Sequence, residues 1–177
     1  MKKLILFLIA IITLIQVTNT YKEDYYVIPN ESIRIRIVPN SDSIEDQFLK
    51  KQVKTNIELE IASDLKDSKT IEESRNIINN NIKNYGKTVE KVLKEEKTNQ
   101  EYNIDFGYHY FPQKEYKGVK YEEGEYESLL ITLGEGKGDN WWCVLFPPIC
   151  SLEVEETDNT EIEYSLYVKE MFEKYIK

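Results

Sequence analysis

The sequence predicts an α+β fold: two N-terminal helices packed on a mainly antiparallel sheet, followed by a C-terminal helix. Residues 32–38 alternate apolar and polar side chains, as a strand does. Residues 44–66 and 70–96 then carry apolar side chains at helical spacing. Beyond residue 100 the apolar period changes to two, which indicates further strands. Consecutive helices beside grouped strands are typical of α+β domains.

The first predicted strand alternates three isoleucines with Arg34 and Arg36. This pattern is typical of a half-buried strand, with the isoleucines on the core face and the arginines on the other face. The turn-forming residues 39–42 break the chain directly after it.

Both predicted N-terminal helices begin at capping signals. Ser43 precedes the first helix and Thr70 precedes the second, each with an acidic side chain three residues later. Gly86 weakens the second helix by about 1 kcal/mol relative to Ala, which predicts a bend or a break there. The first helix has one apolar stripe, formed by Phe48, Leu49, Val53, Ile57 and Ile61.

Three strands and two connections are predicted after the helices. The strands cover residues 102–110, 126–133 and 141–146, where apolar side chains alternate or run together. Residues 116–121 fit a loop or a short edge strand, and the glycine-rich residues 134–138 fit a flexible connection or a tight turn.

The C-terminal segment follows an acidic stretch at residues 152–159 and predicts a helix. Thr160 and Glu163 have the spacing of a capping box, and apolar side chains then recur at intervals of three and four. The alternation from Ile162 to Leu166 would also fit the start of a strand.

Composition excludes several classes of function. The 177 residues contain 23 Lys and Arg against 32 Asp and Glu, a net charge of -9, which argues against binding to a nucleic-acid backbone. The hydrophobic fraction of 41% is that of a folded chain. One His and two Cys are too few for an ordinary zinc site, so no metal and no cofactor are expected.

The N-terminus predicts export. A positive start at residues 1–3 precedes a mainly apolar run of 14 residues, which as a helix would reach about 21 Å. That is short for a hydrocarbon core of about 30 Å. No Ala-x-Ala pattern follows the run, so cleavage and retention as an anchor both stay open. We therefore divide the chain into a signal peptide or N-terminal anchor at 1–20, a spacer at 21–31 and a single domain at 32–177.

The two cysteines lie close together in the sequence, at Cys143 and Cys150. Outside the cytosol a disulfide between them could persist, and the intervening Pro147 and Pro148 favour a bend. Closing this loop would stabilise the fold by about 2.5 kcal/mol in the loop-entropy description. Two buried free thiols are the alternative.

No specific catalytic signature is present. The glycines at 134–138 are followed by acidic and strand-forming residues instead of a helix N-terminus, so they do not fit a phosphate-binding loop. His109 is the only imidazole in the chain and falls out of phase with the aromatic side chains of its strand. A bonded or exposed structural histidine is therefore the simpler interpretation.

The adjacent Trp141 and Trp142 are the most unusual feature. Neighbouring residues of a strand point to opposite faces, so at most one of the two rings can enter the main core. The other ring is either covered by the chain itself or packs against a partner. Tryptophan is common in binding hot spots because it buries a large area at a low entropic cost.

Four segments resemble the stage II sporulation protein R family of endospore-forming bacteria: residues 33–47, 68–73, 124–133 and 134–150. The last segment reads Gly-Glu-Gly-Lys-Gly-Asp-Asn-Trp-Trp-Cys-Val-Leu-Phe-Pro-Pro-Ile-Cys and is highly specific. The resemblance covers residues 32 to 151.

The resemblance implies a signalling domain and not an enzyme. Members of the family are exported from the forespore into the space between forespore and mother cell. There they activate a membrane-embedded aspartic protease of the mother cell, which removes the pro-sequence of the sigma E factor. An uncleaved signal segment would keep this chain at the membrane, which is its only expected membrane contact.

The partner-binding residues expected for this role lie in and beside the tryptophan strand. They are Trp141, Trp142 and Phe146, with Asn40, Ser41 and Asp42 as polar neighbours at the end of the first strand. Two rival hypotheses remain: a secreted cell-wall hydrolase that uses His109 with nearby carboxylates, and a structural spore-envelope protein.

Overall fold

The computed structural model describes residues 26–28, 30–117, 119–150 and 161–176. The predicted signal segment, residues 1–20, and the acidic stretch, residues 152–159, lie outside them. The strands are β1 (Tyr26–Val27), β2 (Ile33–Val38), β3 (Tyr102–Phe111), β4 (Lys114–Tyr116), β5 (Val119–Tyr121), β6 (Gly124–Leu133) and β7 (Trp141–Phe146), and the helices are α1 (Ile44–Leu65), α2 (Ile71–Glu95) and α3 (Glu161–Tyr175). None of the helices in the described ranges has the length and apolar character of a membrane span.

The main sheet has four strands in the order β3-β6-β2-β7. The α+β class is confirmed, and the predicted antiparallel sheet is a mixed one, with two antiparallel pairings and one parallel pairing. Its central pair, β2 and β6, is parallel, whereas β3 and β7 run antiparallel to their neighbours. The reason is the long connection between β2 and β6, which contains α1, α2, β3, β4 and β5. No hairpin therefore fixes the relative direction of the two strands.

The larger core lies between this sheet and the helices α1 and α2. Ile33, Ile35 and Ile37 of β2 are fully buried there, as their alternation predicts. The stripe of α1 packs on them, except that Phe48 is 48% exposed and lies outside the core, contrary to prediction. Phe48 falls one residue before Leu49, and Leu49 takes the inward position instead.

The capping predictions for both helices are confirmed. The Ser43 hydroxyl accepts a hydrogen bond from the Asp46 backbone N–H at 3.1 Å, and the Thr70 hydroxyl accepts one from Glu73 at 3.2 Å. Gly86, in contrast, does not break α2, which continues to Glu95. This glycine is buried, and a Cβ at its position would lie 3.4 Å from the hydroxyl of a tyrosine at the start of β3, so its role is close packing.

A second layer covers the opposite face of the sheet. The strands β1, β5 and β4 form a small sheet in that order, and with α3 they enclose a second core. Its buried side chains are Ile28, Val119, Tyr121, Val144, Ile149, Val168 and Phe172. The prediction of a half-buried β2 is therefore wrong: Arg34 is 0% exposed because this layer lies over it.

The second layer also revises two predicted segments. The spacer predicted at 21–31 contributes β1, which pairs in parallel with β5, and Ile28, which is 1% exposed. Residues 116–121 contain short strands instead of a loop, namely the end of β4 and all of β5, but β5 is the central strand of the small sheet and only β4 lies at its edge. The helical interpretation of the C-terminal segment is confirmed by α3; its proposed cap at Thr160 lies outside the described residues.

Candidate functional site

The two tryptophans lie at the start of β7, which is an edge strand of the main sheet. Within the described part of the chain, β7 pairs on one side only, with β2. Trp141 points to the helical face and packs beside the larger core, whereas Trp142 points to the opposite face and packs beside the second core. Each ring is half-buried. The two rings therefore stand on opposite faces of the same strand.

A groove of about 270 Å³ runs along this edge. We call it the tryptophan groove. Its lining residues come from α1, the β4–β5 hairpin and β7: Lys54, Lys114, Tyr116, Tyr121, Trp141, Trp142 and Cys143. The Lys54 Nζ lies 4.6 Å from the centroid of the Trp141 ring, and the Lys114 Nζ lies 5.3 Å from the centroid of Trp142. Aromatic walls with cationic side chains thus flank the strand edge on both faces.

Behind Trp142 lies a buried cation, the guanidinium of Arg34. Its central carbon is 3.3 Å from the centroid of the Tyr126 ring and 5.2 to 5.9 Å from those of Phe111, Tyr121 and Trp142. None of its three nitrogens makes a side-chain hydrogen bond within this aromatic cage; the Tyr126 contact is ring-face stacking. Burial lowers the pKa of Arg34 to about 10, with Tyr126 opposing that shift, so the side chain stays charged at neutral pH.

Phe146 is placed differently from the prediction. It is 2% exposed, belongs to the larger core, and meets the ring of Tyr175 edge-on at 5.4 Å between centroids. In this conformation its ring is not a surface contact. The structure joins Cys143 and Cys150 in a disulfide, with 5.8 Å between the Cα atoms, which ties the groove to the proline-containing turn after β7.

Residues 40–42 are not among the described residues that line the groove. The side chains of Asn40 and Asp42 instead join their loop to the loop before β7. The Asn40 Oδ1 accepts a hydrogen bond from the Glu135 backbone N–H at 2.9 Å, and the Asp42 Oδ1 accepts one from Asp139 at 2.6 Å. The connection at 134–138 is thus a bonded tight turn instead of a flexible one.

The glycines of this connection are required by its close approach to the 40–42 loop. Gly134 has φ of 56°, and a Cβ there would collide with the side chain of Asn40. A Cβ at Gly138 would collide with the backbone carbonyl of Ser41. Two segments that carry the family resemblance, residues 33–47 and 134–150, are therefore in direct contact, and their loops serve the fold.

Asp46 lies at the centre of this loop contact. The Ser41 hydroxyl donates to its Oδ2 at 2.5 Å, Asn40 Nδ2 donates to the same oxygen at 3.0 Å, and Gln100 Nε2 donates to Oδ1 at 2.6 Å. These hydrogen bonds, that of Ser41 first, outweigh burial and lower the pKa of Asp46 to about 2.

Replacing Asp46 by Asn should destabilise the protein at pH 7 and less so in acid. A depressed folded-state pKa gives stability that is present above the unfolded-state pKa of about 3.8 and is lost as pH falls towards 2. The shift corresponds to about 2 kcal/mol. Urea unfolding of Asp46→Asn and the parent chain should therefore differ at pH 7 and converge near pH 2, with Asp67→Asn in an exposed turn as the control. A gap of constant size across this range would contradict the assignment.

His109 lies within hydrogen-bond distance of two side chains, one on its own strand and one on the neighbouring strand β6. Its Nδ1 lies 2.7 Å from the Ser128 Oγ, and its Nε2 lies 3.0 Å from the Asp105 Oδ2. The register of β3 against β6 creates this row, since Gly107 faces Ser128. The order serine, histidine and carboxylate is that of a hydrolase triad. Ser128 is fully buried, however, so its hydroxyl does not face an open cleft.

Sequence reasoning found the two tryptophans and missed the other walls of the groove. Lys54, Lys114 and Tyr116 have no common sequence pattern; they meet only because α1 and the β4–β5 hairpin flank β7. Within the described ranges, no three His, Cys, Asp or Glu side chains are grouped to hold a metal ion.

Comparison with known proteins shows the family that the sequence segments resemble. The sequence model of the stage II sporulation protein R family matches residues 29–156. Stage II sporulation protein R of Bacillus subtilis (strain 168) is 44% identical over 127 residues, which are 72% of this chain. The chain spans 57% of the length of that relative. No solved structure matches. The chain therefore belongs to the stage II sporulation protein R family, whose name places it in sporulation.

Proposed function

We propose that this chain is an exported sporulation signal that binds the extracytoplasmic side of a membrane-embedded aspartic protease and favours its active state. Activation of the protease leads to removal of the pro-sequence of the sigma E factor. The chain acts as a ligand in this scheme, and the bond-breaking chemistry belongs to the protease. Residues 1–20 direct its export from the forespore and, if they are retained, anchor it at the membrane.

The tryptophan groove is the observation that supports binding. Trp141 and Trp142 are half-buried rings held by the sheet, so docking against them costs little side-chain entropy. Rigid, partly desolvated aromatic side chains are the groups that dominate protein–protein hot spots. The adjacent disulfide of Cys143 and Cys150 restrains the strand that presents them.

Binding activates the protease only if the chain prefers the active conformation. Changing an equilibrium from 1:99 to 99:1 requires a preference of about 5.5 kcal/mol. Truncation of a single hot-spot side chain commonly costs about 2 kcal/mol or more. Two such side chains with a few neighbouring contacts reach this value when they are made with the active conformation alone.

Co-expression in a non-sporulating bacterium tests the proposal. The host carries this chain, the protease and the sigma E precursor, and precursor cleavage is followed by immunoblotting. We expect cleavage only when this chain is present with its first 20 residues. Cleavage that is equally efficient without the chain, or with a chain that lacks residues 1–20 and stays inside the host, would contradict the proposal.

The row Asp105–His109–Ser128 favours one second candidate, a secreted hydrolase acting on cell-wall material. The burial of Ser128 speaks against it, because a substrate carbonyl would have to reach a hydroxyl inside the sheet layers. We expect His109→Ala, matched for exported amount and folded state, to support sigma E processing at the parent level. Complete loss of processing in a folded His109→Ala chain would favour the hydrolase instead.

A further inference from the structure

The lining of the tryptophan groove is positive, although the chain as a whole has a net charge of -9. Among the described residues that line it, Lys54 and Lys114 are the charged ones, and none is acidic. Lys54 lies on the helical side, where it also pairs with Glu58 at 3.7 Å. Lys114 is exposed on the opposite side and contacts the face of Trp142. The guanidinium of Arg34 lies 5.5 Å from the same ring, on the buried side.

The groove also lies between two strand edges. Among the described residues, β7 pairs only with β2 and β4 pairs only with β5. An edge strand presents unpaired backbone N–H and C=O groups, and an extended segment of another chain can pair with them. All three residues of β4 are exposed, whereas β7 is open only at Trp141 and Trp142, since its other four residues are buried. The two tryptophans are therefore the part of β7 that a segment lying in the groove would meet.

The size of the groove is compatible with side chains of a polypeptide segment. Drug-sized ligands occupy pockets of about 300 to 1,000 Å³ that enclose most of their surface. The tryptophan groove measures about 270 Å³, which accommodates one or two side chains.

We infer that the tryptophan groove recognises an extended acidic segment of the partner, with Lys114 as the residue that pairs with its carboxylate. This inference rests on the proposed function, in which Trp141 and Trp142 contact the partner. The segment lies along the groove, an apolar side chain packs against Trp141 on the helical face, and an Asp or Glu faces Lys114 on the opposite face. Positive charge in an otherwise acidic protein then decides which part of the partner binds.

Tryptophan fluorescence of the full-length chain tests the inference directly. Both tryptophans of the chain line the groove, so their emission reports on its occupancy. The probe is a six-residue peptide of alternating Glu and Val with blocked ends, and the matched peptide has Lys in place of Glu. We expect a saturable change in emission with the Glu peptide only. Lys114→Glu should weaken the binding roughly five- to tenfold, as expected for reversal of one partly exposed charge.

Two further variants complete the experiment. Lys114→Arg should bind like the parent, and Lys91→Glu, at an exposed position of α2, should also bind like the parent. No change in emission with the Glu peptide, an equal change with the Lys peptide, or undiminished binding by Lys114→Glu would overturn the inference. The inference would also be overturned if the Glu peptide bound only after Glu153, Glu155 and Glu156 were replaced by Gln. The acidic stretch of this chain would then be the occupant of the groove.

The same variants separate this inference from the proposed function. In the co-expressing host, Lys114→Glu should need roughly five to ten times more exported chain than Lys91→Glu for the same processing. If the Glu peptide binds but Lys114→Glu does not affect processing, the groove binds acidic segments but this binding is not part of signalling. Failure of the parent chain to trigger any processing would contradict the proposed function, while the fluorescence result would still decide the site.

Discussion

Replacing Trp141 by Ala should reduce sigma E processing roughly thirtyfold at a limiting amount of exported chain, since truncation of a hot spot costs about 2 kcal/mol. The ring lies on the edge strand β7 and lines the tryptophan groove, so its loss removes one wall of the proposed contact. The measurement is the fraction of precursor cleaved in the co-expressing host, normalised to exported chain. Urea unfolding of the purified variant shows that the fold is retained.

Two controls accompany Trp141→Ala. Trp141→Phe keeps an aromatic ring and should recover a large part of the activity. Tyr108→Ala removes an aromatic side chain that is 72% exposed on β3, the opposite edge of the sheet, and should leave processing unchanged. Parent-level processing by the folded Trp141→Ala and Trp142→Ala chains would exclude an aromatic anchor.

Replacing Arg34 by Ala should give the largest loss of stability, about 3 kcal/mol. The side chain is 0% exposed and fills the space between four aromatic rings, so Ala leaves a cavity and removes desolvated cation–π contacts. The expected loss is moderated because a buried charge without hydrogen-bonded partners is itself costly. The measurement is the free energy of unfolding in urea at pH 7.

Arg34→Met separates volume from charge. Methionine fills most of the same space without a charge, and such replacements of buried ions are often neutral. We expect its stability to lie within about 1 kcal/mol of the parent. If Arg34→Met were as unstable as Arg34→Ala, the positive charge itself would be the main source of stability in the cage.

The local elements could be predicted because their signals are local. Ser43 and Thr70 carry the capping hydroxyls at the helix starts, and the period of the side chains distinguishes helix from strand. The parallel pairing of β2 with β6 depends instead on contacts between residues about 90 positions apart, which no local pattern encodes. The burial of Arg34 has the same origin, because the layer that covers it comes from β4, β5 and α3.

Of the site, the sequence predicts the two tryptophans but not the residues that surround them. Adjacent Trp141 and Trp142 had to point to opposite faces of a strand, and the structure places them so. Their lysine neighbours come from distant elements and leave no sequence signal. The local pattern around Phe146 does not show whether its ring is covered; its place in the larger core and its contact with Tyr175 of α3 do.

Site-specific photocrosslinking at position 116 tests the central claim, direct contact with the protease. Tyr116 is 40% exposed at the groove, and benzoylphenylalanine can replace it without removing either tryptophan. The control position is Lys91 on α2. In the co-expressing host, irradiation should yield a covalent adduct of the chain with the protease from position 116 and none from position 91. Active processing without an adduct from position 116, or with equal adducts from both positions, would contradict the account.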